Sequence, residues 1–183
     1  LTDVTGVQTC ALPISNGETQ ALDVSRAMLI PAPEGPAPEI TFLADVAMDT
    51  RLEVEVRASS RAANYTPDLL LYRGSIELPA GKARTVRVKP DCALDSPRYV
   101  SYCLLQNPDI SVYLSDERLS GVLSLAQRMN KAVAKAARQD PPPGTGIDSF
   151  EFWLPGRRPG GKNLAVSVEP AIRAFCGDRK SVV

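Results

Sequence analysis

The chain contains no histidine among its 183 residues. Histidine is the commonest general base near neutral pH, a member of the Ser-His-Asp triad and the most frequent zinc ligand. Its absence leaves an independent hydrolase without its usual base, and no convincing nucleophile stands in the sequence. We therefore predict no catalytic residue, no metal ligand and no cofactor-binding residue in this chain.

An excess of either charge is also missing, because 21 basic residues balance 21 acidic ones and the net charge is +0. A neutral chain gives no electrostatic reason to bind nucleic acid or an anionic membrane surface. Long hydrophobic runs are absent too, since none approaches the roughly eighteen apolar residues that a membrane-spanning helix needs. We expect neither a nucleic acid nor a membrane as a partner.

Cysteine is sparse, with four residues in the chain. Cys10 and Cys176 lie near the ends, and the remaining pair, Cys92 and Cys103, fits neither a zinc spacing nor a disulfide framework. Cys103 belongs to the apolar run Tyr99–Leu105, where a free thiol usually behaves as a small buried hydrophobic group. The cysteine content therefore does not indicate a cellular compartment.

Both ends of the chain resemble translated sequencing adapter of the kind found in metagenome-derived reading frames. The resemblance covers residues 1–15 and 177–183, and the absence of an initiator Met agrees with it. We therefore expect residues 1–15 to be a disordered artefact, residues 16–176 to form one native domain, and residues 177–183 to be a second artefact. The alternative for residues 1–15 is that they are a genuine, frayed N-terminus.

Alternation of apolar and polar residues with a period of two dominates the chain and predicts strands with one face toward a core. It is clearest at Leu52–Arg57, Thr85–Val88 and Leu164–Val168. Further strands are predicted at Arg26–Ile30, Ile40–Ala47, Leu69–Leu78, Arg98–Leu105, Ile110–Leu114, Gly121–Ala126 and Ser149–Leu154. About ten short strands with almost no helix indicate an all-β fold, and we predict a single antiparallel β-sandwich or jelly-roll-like domain.

Proline and glycine mark the connections between these strands. Turn signals occur at Pro79–Lys82 and at Asn107–Asp109, and the proline-rich segment Pro31–Pro38 is predicted to be an extended connector. Met129–Arg138 is the one segment whose composition favours a helix over a strand. Because it is short and stops before a run of prolines, we predict a loop with one or two helical turns.

Three motifs could belong to a catalytic or nucleotide-binding site, but each lacks a feature that such a site needs. Glu53 and Glu55 could act as glycosidase carboxylates, but they lie on the polar face of an alternating strand, where we expect them to be solvated. Gly156–Asn163 has the spacing of a phosphate-binding loop, yet Asn163 replaces the magnesium-binding Ser or Thr and a strand follows where a helix should begin. Gly144–Gly146 opens no helix either, so no dinucleotide site is predicted.

Four side chains are candidates for a ligand or an interface: Tyr65, Trp153, Arg157 and Arg158. An exposed tryptophan on a sandwich can stack on a sugar ring, and neighbouring arginines can add hydrogen bonds. The alternative for Trp153 is a place in the core, since large aromatic side chains dominate core burial. Tyr65 lies in a predicted polar turn, and the alternative for it is that its ring packs against that turn.

Several segments together resemble the region C-terminal to the flavin-binding part of large bacterial FAD-dependent oxidoreductases. The segments that carry the resemblance are Ser59–Asp68, Leu78–Gly81, Tyr102–Pro108, Gly146–Pro159 and Asn163–Ala165. In such proteins the dinucleotide-binding fold lies upstream, so the resemblance implies FAD for the parent protein and none for this fragment. Its implied partner is the flavin-binding domain of the same parent chain.

Two functions from different classes follow from these observations. The first is a non-catalytic accessory domain of a flavoenzyme that positions substrate or packs on the flavin domain. The second is a carbohydrate-binding module, which the sandwich architecture and the four candidate side chains suggest by analogy alone. An exposed aromatic platform would favour the sugar module, whereas an exposed apolar patch elsewhere would favour docking on a flavin domain.

Overall fold

The described part of the chain consists of strands and the turns that join them. It comprises residues 13–61, 67–115, 151–152 and 163–168 of a computed structural model. The strands are, in chain order, β1 (Thr19–Leu22), β2 (Arg26–Ala32), β3 (Gly35–Pro36), β4 (Ile40–Val46), β5 (Thr50–Ala58), β6 (Leu69–Leu78), β7 (Gly81–Val88), β8 (Ala93–Leu94), β9 (Arg98–Leu104), β10 (Asn107–Ser115), β11 (Glu151–Phe152), β12 (Asn163–Leu164) and β13 (Val166–Val168).

The first sheet has six strands, and its main path is β1-β10-β4-β13. β7 pairs with β4 along nearly the whole strand, and β12 pairs with the end of β10. The segment 163–168 therefore contacts both β10 and β4. Every pairing in this sheet is antiparallel.

The second sheet has five strands in the order β11-β2-β9-β5-β6. The pairs β2–β9, β9–β5 and β5–β6 are antiparallel, whereas the short β11 runs parallel to β2. β5 thus lies between two partners. Within the described residues, β6 pairs with β5 alone and forms the edge of this sheet.

The core lies between the two sheets. Phe42 and Ile110 from the first sheet, and Ile30, Val54 and Tyr102 from the second, belong to one cluster of buried side chains. Because alternate residues of each strand point to this cluster, the two sheets stack face to face. The prediction of an all-β, sandwich-like domain is confirmed.

The alternating pattern located most strands correctly. The predicted bounds of β6 are those observed, and the other strands predicted in the described part of the chain each coincide with an observed strand or overlap it. Gly121–Ala126 and the loop predicted at Met129–Arg138 lie outside the described residues. So do residues 1–12, residues 177–183 and most of Ser149–Leu154.

Three short strands were missed. β1, β3 and β8 are too short or too polar to show a period of two. β1 nevertheless pairs with β10, and Ser15 Oγ donates a hydrogen bond to the Leu114 carbonyl at 3.1 Å.

The proline-rich segment was predicted to be a connector, but much of it is paired. β2 continues to Ala32, and β3 pairs with β8. The Ala37 amide donates to the Cys92 carbonyl at 2.9 Å, and the buried Tyr102 hydroxyl donates to the Pro38 carbonyl. Proline has the φ of an extended strand and lacks only the N–H donor, so it is tolerated in these short edge positions.

The turn predicted at Asn107–Asp109 is wrong by about two residues, because β10 already begins at Asn107. The reason is the Asn107 side chain, whose amide donates to the Thr50 hydroxyl at 3.0 Å and to the Arg51 carbonyl at 2.9 Å. These contacts fix Asn107 against β5. The turn signal Pro79–Lys82 is confirmed, since β6 ends at Leu78 and β7 begins at Gly81.

The prediction that Glu53 and Glu55 are both solvated is wrong for Glu55. They do lie on the face opposite the core, as alternation requires, but Glu55 is only 2% exposed. The prediction assumed that a polar face is a solvated face, but ion pairs with Arg57 and Arg73 allow the Glu55 carboxylate to be buried.

Candidate functional site

None of the four candidate side chains falls in the described part of the chain. Tyr65 lies in the segment 62–66, and Trp153, Arg157 and Arg158 lie in the segment 153–162. The structure therefore does not bring them together or separate them. The sugar-binding site stays a prediction.

The two ends of the Tyr65 segment are nevertheless anchored. The Ser60 amide donates to Asp68 Oδ1 at 2.7 Å, and the Ser60 hydroxyl donates to Asp68 Oδ2. Arg57 Nη1 donates to the Pro67 carbonyl at 3.3 Å. These contacts hold the residues that precede β6 against the end of β5.

Part of the outer face of the second sheet, which points away from the core, is also buried. Ala27 on β2, Ser101 and Cys103 on β9, and Glu55 and Arg57 on β5 are each at most 7% exposed. In the ladder, Cys103 stands opposite both Ala27 and Glu55, while Ser101 stands opposite Arg57. This face places ionised groups beside a thiol, a combination that can carry chemistry.

Glu55, Arg57 and Arg73 form a three-membered ion cluster on this face, called the Glu55 cluster below. Arg57 Nε donates to Glu55 Oε2 at 2.6 Å, and Arg73 Nε donates to Glu55 Oε1 at 2.9 Å. The Glu55 and Arg57 side chains are 3% and 8% exposed, whereas Arg73 is 60% exposed. Arg73 stands opposite Glu55 in the β5–β6 ladder, so the cluster joins these two strands.

Burial and pairing act on the Glu55 carboxyl in opposite directions. Burial favours the neutral acid, but the hydrogen bonds and charges of Arg57 and Arg73 outweigh it, so the pKa of Glu55 lies below its ordinary value. Burial raises the pKa of the Cys103 thiol far above its ordinary value. At neutral pH the face therefore holds an ionised carboxylate and a neutral thiol.

This arrangement is suited to holding strands together. A general base needs a pKa near the working pH and a lone pair within reach of substrate, whereas both Glu55 oxygens already accept from arginines. A nucleophilic cysteine needs thiolate character and access, and Cys103 is fully buried. The prediction that Cys103 is a buried thiol is confirmed.

A second charged cluster lies on the first sheet around Asp45. Asp45 Oδ1 accepts from the Ala83 amide and from the Tyr113 hydroxyl, both at 2.9 Å, and Oδ2 accepts from Lys82 Nζ at 2.9 Å. Ala83 has φ 48, a left-handed conformation that costs a non-glycine residue about 1–2 kcal/mol. Asp45 thus links β4, β7 and β10 where the β4–β7 register shifts.

The hydrogen bonds of this second cluster shift the pKa values of Asp45 and Tyr113. Burial opposes ionisation of Asp45, but the bonds from Ala83, Lys82 and Tyr113 outweigh it and lower the pKa of Asp45. The bond to Asp45 is the main reason that the pKa of Tyr113 is raised. Both shifts follow from contacts between strands, so this cluster too stabilises the sheet.

Sequence reasoning missed an exposed apolar pair at the start of β6. Leu69 and Leu70 are 40% and 43% exposed, directly after the anchored Pro67 and Asp68. As neighbours in a strand, the two side chains point to opposite faces of the sheet, so a partner that contacts both would have to cover the edge of β6. The signal was present in the sequence, because three consecutive leucines at 69–71 break the alternation.

The described residues contain no group of His, Cys, Asp and Glu side chains arranged to hold a metal ion. They also contain no helix of the length and apolarity that crossing a bilayer requires.

The chain was then compared with known proteins. No model of a protein family matches it. Searches of curated proteins and of solved structures gave no match either.

Proposed function

We propose that this chain is a non-catalytic accessory domain of a bacterial FAD-dependent oxidoreductase, and that it packs on the flavin-binding domain of its parent protein through Leu69 and Leu70. FAD belongs to that parent domain. The observation that carries the proposal is the exposed leucine pair at the start of an anchored strand. The family resemblance of Ser59–Asp68, which leads into this pair, supports the identity of the parent.

The charged clusters support a structural role. The contacts of Glu55 tie β5 to β6, and those of Asp45 tie β4 to β7 and β10. Both carboxylates are thereby committed to neighbouring strands. A module that docks needs such a rigid frame, since ordering side chains on binding costs roughly 0.5–1.5 kcal/mol each.

The experiment produces the flavin-binding region of the parent protein and this chain as separate polypeptides. Isothermal titration calorimetry then measures their association. The double variant Leu69→Ser/Leu70→Ser is expected to weaken binding by about tenfold or more, since full burial of one leucine contributes about 1.5–3 kcal/mol. Its melting temperature should fall only slightly, because both side chains are partly exposed in the free chain.

Met48→Ser is the matched control, since Met48 is 57% exposed but lies in the β4–β5 turn. It should bind like the parent chain. A double serine variant that binds as tightly as the parent, or two polypeptides that do not associate at all, would contradict the proposal. Heat released on titration with oligosaccharides would favour the sugar-binding module instead.

A further inference from the structure

Among the described residues, β6 is a long edge strand with a regular central part. Its register against β5 is uniform from Leu78 to Tyr72 and shifts only between Tyr72 and Leu70. Residues 72–78 contain no proline. Such an edge offers a row of backbone N–H and C=O groups to another strand unless a bulge, a proline or like charges prevent pairing.

The charges on β6 are arranged symmetrically about Ser75, which is the midpoint of residues 72–78. Arg73 stands two residues before it and Glu77 two residues after it, and all three are exposed on one face of the strand. A two-fold axis at Ser75 would place Arg73 of one copy opposite Glu77 of another, and the reverse. Moving the axis by two residues either way would set Arg73 opposite Arg73 or Glu77 opposite Glu77, and like charges directly opposite are destabilising.

The other face of β6 fits the same register. Gly74 would stand opposite Ile76 of the other copy, so the branched side chain would meet no side chain directly across. Tyr72 lies over Gly74 in its own strand, where a Cβ would collide with the ring. Tyr72 would therefore be the diagonal neighbour of Ile76 from the other copy, an aromatic and β-branched pairing that stabilises sheets.

We propose that β6 pairs antiparallel with β6 of a second copy of this chain, about a two-fold axis at Ser75, and so extends one sheet across both copies. A contact through one strand buries little surface, so the dimer is weak and depends on concentration. Leu69 and Leu70 lie beyond the last residue pair. The inference therefore does not rest on the flavin-domain proposal.

Disulfide crosslinking tests the register directly. In the proposed dimer residue 75 faces itself, and cross-strand Cβ atoms lie about 4.5–5.5 Å apart, so Ser75→Cys should form a crosslinked dimer under mild oxidation. Thr85→Cys is the control, since Thr85 is exposed on β7. Both variants are made with Cys10, Cys92 and Cys176 replaced by serine and the buried Cys103 retained. Absence of crosslinked Ser75→Cys dimer, or equal crosslinking of the control, would overturn the proposal.

Sedimentation equilibrium provides a second measurement without new cysteines. Glu77→Arg turns both attractive pairs into repulsive ones, so the dimer dissociation constant should rise about tenfold. Arg51→Ala is the control, because it removes the same 2.6 Å Arg51–Glu77 pair and leaves the charge opposite Arg73 unchanged. A parent chain that stays monomeric up to about millimolar concentration, where a weak contact of this size should associate, would overturn the proposal. So would a Glu77→Arg variant that dimerises like the parent.

Discussion

At the scale of single residues, Glu55 is the most constrained charged group in the described part of the second sheet. It is 2% exposed and accepts hydrogen bonds from an arginine of its own strand and from one of the next strand. Replacing a buried ion pair as a whole can be harmless, but removing one partner takes the counter-charge away from the other. Arg57, 7% exposed, would lose the carboxylate to which its Nε donates.

Glu55→Gln is therefore expected to lower the free energy of unfolding by about 3–5 kcal/mol. Urea denaturation followed by circular dichroism measures the change. Glu53→Gln is the control, since Glu53 is the same residue type on the same strand face and is only half-buried. Equal losses for the two variants would show that the Glu55 cluster has no special role.

The same cluster predicts how stability depends on pH. The pKa of Glu55 is lowered in the folded chain from an ordinary value of 4.5, so its contribution is fully present above that value and is lost as the pH falls through the folded pKa. The difference in melting temperature between parent and Glu55→Gln should shrink on acidification below pH 4.5. A difference that stays constant down to about pH 3, well below the ordinary pKa of a glutamate, would contradict the assignment.

The face on which Glu55 lies was predictable from the sequence, but its burial was not. Alternation places Glu53 and Glu55 opposite the core whatever surrounds the strand. Their exposure depends on contacts with residues distant in sequence, such as Arg73 and Cys103 in the neighbouring strands. Arg57 and Arg73 were likewise not recognised as partners, because the β5–β6 register that brings Arg73 to Glu55 is a property of the folded hairpin.

At the scale of elements, β5 shows the alternation most clearly. Leu52, Val54 and Val56 are each at most 1% exposed and point into the core. A period of two fixes this assignment, because a slip of one residue would reverse both faces. Strands with a strong pattern were therefore found, whereas β1 and β8 were found only through their partners in the folded chain.

Val54→Asp should unfold the domain, since it buries an unpaired carboxylate in the core. Loss of a cooperative thermal transition in circular dichroism is the expected result. Thr85→Asp, an exposed position on β7, should melt like the parent chain. If Val54→Asp also melted like the parent, the facing of β5 would be wrong.

At the scale of the whole molecule, the described residues form a sandwich whose charged clusters connect strands and whose exposed leucines lie at one end of β6. The proposed function assigns FAD to the flavin-binding domain of the parent protein. Purified residues 16–175 are expected to bind no FAD. Equilibrium dialysis against FAD, followed by the absorbance spectrum of the retained protein, measures this, and yellow protein would contradict it.

The proposal that this chain belongs to a flavoenzyme is tested most directly by recovering the full reading frame from the source DNA and translating the region upstream of Asn16. A flavoenzyme should show there a strand followed at once by a glycine-rich turn and a helix, which together bind the dinucleotide. A secretion signal or a glycoside hydrolase in that region would contradict the proposal and favour the carbohydrate-binding module.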